Sequence, residues 1–91
     1  MIKKTFKVKD ETGIHARPST ILVNTASNFD SDIRIKHNGK EMNLKSILGI
    51  LSLGMEYGSE FDVVVDGSDE VEALETLEET LLREGIAEIK N

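Results

Sequence analysis

The chain has no cysteine and no tryptophan, and only one proline and one tyrosine in 91 residues. Without cysteine there are no disulfides, no thiolate nucleophiles and no Cys-ligated metals. Three Phe and a single Tyr offer little for the stacking platforms that bind single-stranded nucleic acid. Basic residues are also few: 11 Lys and Arg stand against 17 Asp and Glu, for a net charge of -6. No basic face of the kind a nucleic-acid binder presents is evident. No apolar run approaches the ~20 residues of a membrane-crossing helix. The stretch Met1 to Val8 mixes apolar and basic residues and lacks a signal-peptide core. These absences predict a cytoplasmic protein that neither enters membranes nor binds nucleic acid directly. They predict one domain over residues 1–91, with no reason for stable self-association.

What is present is distributed unevenly. Hydrophobic residues make up 38% of the chain and are spread throughout, as a folded globule requires. The acids concentrate between Glu56 and Glu88, whereas Lys3, Lys4, Lys7, Lys9 and Arg17 fall before residue 20. The first part of the chain is therefore mildly basic and suits an anionic group or an acidic partner.

Periodicity alternates along the chain. Ile2 to Lys9 alternates as a strand, Asp10 to Gly13 is turn-like, and Ala16 to Asn28 reads as a helix presenting Ser19, Leu22, Val23, Ala26 and Phe29 on one face. Ile33 and Ile35 alternate with polar residues, Asn38-Gly39 is a strong hairpin signal, and Lys40 to Asn43 is the return strand. Ser46 is placed to cap a short helix, Ile47 to Leu53, closed by Gly54. Phe61, Val63 and Val65 mark a fourth strand. Asp69 and Glu72 resemble a capping box before a helix whose apolar face reads Val71, Leu74, Leu77 and Leu81, with Glu75, Glu78 and Glu79 on its wet side and Gly85 at its end. Residues 86–91 carry no clear pattern. The order β-α-β-β-α-β-α predicts a two-layer α+β domain, an open-faced sandwich whose four-stranded, mostly antiparallel sheet is covered on one face by three helices.

Chemistry points to Gly13-Ile14-His15-Ala16-Arg17-Pro18. His15 falls at the N-cap of the first helix, where Ser, Thr, Asp or Asn is usual. The amides of Ala16 and Arg17 are left to meet an anion at the positive end of the helix. Pro18 suits the first turn, where its missing N–H costs nothing. The Arg17 guanidinium matches phosphate geometry, and neutral imidazole is a nucleophile. His37, beside the hairpin, reads as a surface residue. Two distant histidines with no cysteine do not make a metal site.

Gly-Ile-His-Ala-Arg-Pro, from Gly13 to Pro18, resembles the active-site signature of the HPr family of bacterial phosphocarriers. Lys-Ser-Ile-Leu-Gly-Ile-Leu-Ser-Leu-Gly, from Lys45 to Gly54, resembles that family's second signature, and the element order is the family order. The resemblance implies a phosphorelay of the sugar phosphotransferase system. Enzyme I would charge His15 at Nδ1, Arg17 and the Ala16 and Arg17 amides would steady the phosphoryl group, and enzyme IIA domains of sugar permeases would receive it. No cofactor is implied. It further implies that Ser46, locally a helix cap, is the target of an HPr serine kinase, with catabolite control protein A as a partner of the modified form. Thr20, Ile21, Ile47, Leu48 and Leu51 would form the partner surface. Leu48 departs from the methionine common in Gram-positive relatives. One alternative remains open: a regulatory or interaction-only module binding through its second helix without phosphotransfer.

Overall fold

The computed structural model describes residues 1–90. Five strands and three helices follow in the order β1 (Ile2–Val8), α1 (Ala16–Ala26), β2 (Asp32–His37), β3 (Lys40–Asn43), α2 (Ile47–Ser52), β4 (Glu60–Asp66), α3 (Glu70–Arg83) and β5 (Ala87–Ile89). The strands form one antiparallel sheet in the order β3-β2-β4-β1-β5. The fold is the expected α+β open-faced sandwich, with one strand more than expected.

That fifth strand lies in the tail that showed no pattern. Its three residues pair Phe6 with Ile89, Lys7 with Glu88 and Val8 with Ala87. So short a strand cannot display alternation. What places it is the tertiary burial of Ile86 and Ala87 under the end of α3.

Period-2 alternation sorts the sheet into two faces. Phe6, Val8, Ile33, Ile35, Phe61, Val63 and Val65 are buried beneath the helices. Phe6 lies opposite Phe61 in register, their rings stacked with centroids 5.7 Å apart. Lys3, Thr5, Lys7, Arg34, Lys36 and Asp62 belong to the alternate, uncovered face. The β2–β3 hairpin turns at Asn38 (φ 50°) and Gly39 (φ 80°), as the Asn-Gly pair predicts.

Several local expectations need correcting. The helix α1 stops at Ala26 rather than Asn28, because the Asn28 amide bonds to the Thr25 carbonyl in a tightened turn. Similarly, α2 ends at Ser52, with Leu53 as its cap and Gly54 (φ 61°) beyond.

The inward face of α3 is Ala73, Leu77, Thr80 and Leu81; Leu74 is only half-buried and Val71 is 58% exposed. At ~100° per residue, Val71 stands about 120° away from Leu77, outside the covered arc. Ala73 faces the core in its place. Glu78 is not simply wet, since it forms an ion pair with Lys4 of β1.

The capping box does not form. Asp69 occupies the N-cap position without a side-chain cap. Its carboxylate turns to the α1–β2 loop, where Oδ2 accepts from the Asp30 amide at 2.9 Å and Oδ1 from the Ser31 amide at 3.0 Å and from the Ser31 hydroxyl. These bonds, led by the Ser31 hydroxyl, hold the Asp69 carboxyl below its ordinary pKa. Glu70 accepts from the Gly67 amide at 3.1 Å instead.

Candidate functional site at the start of the first helix

The loop before α1 is built from main-chain and short polar contacts. The Asp10 carbonyl accepts from the Gly13 amide at 2.9 Å, closing a turn. Its side-chain Oδ1 accepts from the Thr12 amide at 3.0 Å and from the Thr12 hydroxyl at 2.7 Å. The hydroxyl and then the amide of Thr12 hold the Asp10 carboxyl below its usual value, with smaller electrostatic help from His15 and Arg17. Gly13 adopts φ +74°, and a Cβ there would stand 2.5 Å from the Met55 carbonyl oxygen. Only glycine allows that approach, which lets the Ile14 amide donate to the same carbonyl at 3.0 Å. Ile14 is buried beside it. The loop is thus pinned to the segment following α2.

His15 follows as the N-cap of α1, with φ -104° and ψ -162° and no side-chain cap. Its side chain is exposed. Its carbonyl accepts from the Ser19 amide at 3.1 Å and from the buried Ser19 hydroxyl at 2.8 Å, which holds its backbone fast. The imidazole Nδ1 lies 3.2 Å from the Gly13 carbonyl oxygen and 3.4 Å from the Thr12 hydroxyl. Ala16 and Arg17 begin the helix, where amides have no intrahelical partner, and Pro18 is buried in the first turn. Arg17 is exposed and forms no ion pair among the described residues. An exposed imidazole, a free guanidinium and two helix-start amides therefore share one end of α1, the arrangement that favours an anion.

The second expected site lies at the start of α2, which packs on α1. Ser46 is its N-cap, and its Oγ accepts from the Gly49 amide at 3.0 Å. Lys45 is not an idle surface charge. Its ammonium is half-buried and donates to the Phe29 carbonyl at 2.7 Å.

Among the residues expected to meet partners, Leu48 is 80% and Ile47 38% exposed, while Ile50 of the same helix is buried. Leu51 is half-buried. Ile21 is half-buried against the core, and Thr20 is exposed with its hydroxyl donating to the Ala16 carbonyl. Leu48 and Ile47 thus carry the open apolar surface, and Ile21 contributes only its edge.

Asp10, Thr12 and Met55 were not anticipated. Asp10-Glu11-Thr12-Gly13 carries the signal for the first two, since Asp followed two residues later by a hydroxyl and then glycine favours a side-chain-closed turn. Nothing local marks Met55, whose role is a main-chain oxygen supplied by tertiary packing.

Residues 2–82 match the family described as PTS HPr component phosphorylation site. Solved structures resemble the chain throughout. The histidine-containing phosphocarrier protein of Mycoplasma is 32% identical with a TM-score of 0.91, covering 99% of this chain and 100% of that one. HPr of Thermoanaerobacter tengcongensis is 40% identical with a TM-score of 0.85, covering 93% and 94% respectively. Crh, the catabolite repression protein of Bacillus subtilis, is described as a dimer with a swapping domain. It is 39% identical with a TM-score of 0.73, covering 88% and 92%. With a family match over residues 2–82 and solved phosphocarrier relatives at 32% and 40% identity along nearly the whole chain, this chain belongs to the HPr phosphocarrier family of the phosphotransferase system.

Proposed function

We propose that this protein carries a phosphoryl group on His15, taking it from enzyme I and delivering it to enzyme IIA domains of sugar permeases. The observation that carries this reading is the exposed imidazole at a helix start without a side-chain cap, beside two amides with no helical partner and the Arg17 guanidinium. Phosphoryl transfer asks mainly for positioning and charge stabilisation. The backbone of His15 is anchored through Ser19, so the ring is displayed from a fixed point. The Ala16 and Arg17 amides and the Arg17 side chain supply positive potential where three phosphoryl oxygens would arrive. The protein acts in the cytoplasm as a carrier rather than as a catalyst, and needs neither metal nor cofactor.

Leu48 and Ile47, with Leu51, Thr20 and the edge of Ile21, form the docking face for these partners. Ser46 is the site of a regulatory phosphorylation by the serine kinase. Added phosphate would bring up to about two negative charges to the helix that packs on α1. It would oppose enzyme I there and offer catabolite control protein A an acidic mark. Because α2 presents its N-terminus to this phosphate, its dipole accommodates the charge.

The test combines purified protein, enzyme I and phosphoenolpyruvate. One acid-labile phosphoryl group should appear by mass spectrometry and be absent in His15→Ala. If neither protein becomes modified, the carrier reading fails. The exposed Leu48 also supports an interaction-only module, which instead predicts that His15→Ala leaves partner-dependent function intact. A separate incubation with ATP and the serine kinase should give an acid-stable phosphate mapping to Ser46.

A further inference from the structure

We infer that Asp10, acting through Thr12, is a positioning residue that keeps hydrogen on Nδ1 of His15 in the resting carrier and turns that nitrogen toward the loop. The argument is one of donors and acceptors. Thr12 has a single hydroxyl hydrogen. The Asp10 carboxylate takes it across 2.7 Å, a charge-assisted bond that outcompetes the 3.4 Å contact to the imidazole. Toward Nδ1 the Thr12 oxygen can then only accept. The other neighbour of Nδ1, the Gly13 carbonyl at 3.2 Å, can never donate. Two acceptors facing one ring nitrogen require that nitrogen to bear hydrogen, so the neutral ring carries its lone pair on Nε2.

Asp10 holds this state because it fixes the direction of the Thr12 hydroxyl. It is itself fixed by accepting from the Thr12 amide at 3.0 Å while its carbonyl accepts from Gly13. Its lowered carboxyl pKa keeps it ionised and accepting at neutral pH. The consequence for charging rests on the carrier reading above. For Nδ1 to attack phosphorus, its hydrogen must leave to solvent while another arrives on Nε2. The ring must also turn away from the Gly13 carbonyl. Docking of the phosphoryl donor would supply the reason to turn, since the donor's phosphoryl oxygens would then meet the Ala16 and Arg17 amides. Asp10 thus guards the nucleophilic atom until a partner is seated.

The tautomer can be read on the intact protein by imidazole nitrogen NMR at a pH where the ring is neutral, with no enzyme I present. Wild type should show a pyrrole-type Nδ1 and a pyridine-type Nε2. In Asp10→Ala the Thr12 hydroxyl becomes free to donate to Nδ1, and the Nε2–H form should rise severalfold. Thr12→Val removes the hydroxyl and leaves only the Gly13 carbonyl, so its shift should be smaller than that of Asp10→Ala. The double variant should match Thr12→Val. Asp10→Asn keeps an accepting oxygen but loses the charge assistance, so its Nε2–H population should lie between those of wild type and Asp10→Ala. A wild-type ring already in the Nε2–H form overturns the inference. So does an Asp10→Ala spectrum equal to wild type, or an Asp10→Asn spectrum equal to Asp10→Ala. None of these readings involves phosphotransfer. The carrier reading therefore stands or falls separately on the phosphoenolpyruvate assay.

Discussion

The Asp69 carboxylate grips the backbone of Ser31 across 38 residues of chain, and in doing so ties the exit of α1 to the entrance of α3. A carboxyl with a depressed folded pKa contributes stability above its unfolded value of about 3.9, and that contribution disappears as pH falls through the lower folded value. Asp69→Asn should therefore lower the urea midpoint at pH 7, and the gap to wild type should close as the acid limb is descended. Urea melts from pH 7 down to pH 3 check this; an equal gap at both ends would remove Asp69 from the acid limb.

The inward arc of α3 makes a paired prediction. Leu77 is fully buried, so Leu77→Ala should cost about 2–5 kcal/mol of folding stability. Val71 is 58% exposed, and Val71→Ala should stay within about 0.5 kcal/mol of wild type. Denaturant titration of both separates the observed helix face from the one that the Val71, Leu74, Leu77, Leu81 spacing suggests.

Gly13 places the loop before α1 against Met55. Gly13→Ala must accept both φ +74° and a Cβ 2.5 Å from a carbonyl oxygen, which should destabilise by about 1–3 kcal/mol. Charging of His15 should slow beyond the loss of folded protein, measured at a temperature where the variant remains folded.

Leu48 belongs to the surface and not to the core. Leu48→Asp should leave the thermal midpoint near wild type while raising the KM for charging by enzyme I severalfold. A fall in the midpoint with an unchanged KM would remove Leu48 from the docking face.

How far the chain could be read from its residues depended on how local each signal was. Asn38-Gly39, the Ser46 cap and Gly54 each act within a few residues, and each stands where expected. His15, Ala16 and Arg17 come together because they are consecutive at one helix start. Asp69 looked like a cap because Glu72 lies three residues on, yet its carboxylate found the amides of Asp30 and Ser31. Lys45 likewise found the Phe29 carbonyl. Both partners are supplied by a loop that is distant in sequence and close only after the sheet has formed. The β5 strand was invisible for the same reason: its pattern is a property of the β1 edge it covers.

That edge has unequal hydrogen-bonded ladders on its two sides. β1 meets β4 through six residue pairs but β5 through three. The shorter ladder should open first, by a local excursion that leaves the rest of the sheet intact. Amide protons of Ala87 to Ile89 should therefore exchange with deuterium well before those of β4. Each such excursion would briefly bare the outer backbone of Phe6 to Val8, making the seam between first and last strands the place where this small protein breathes.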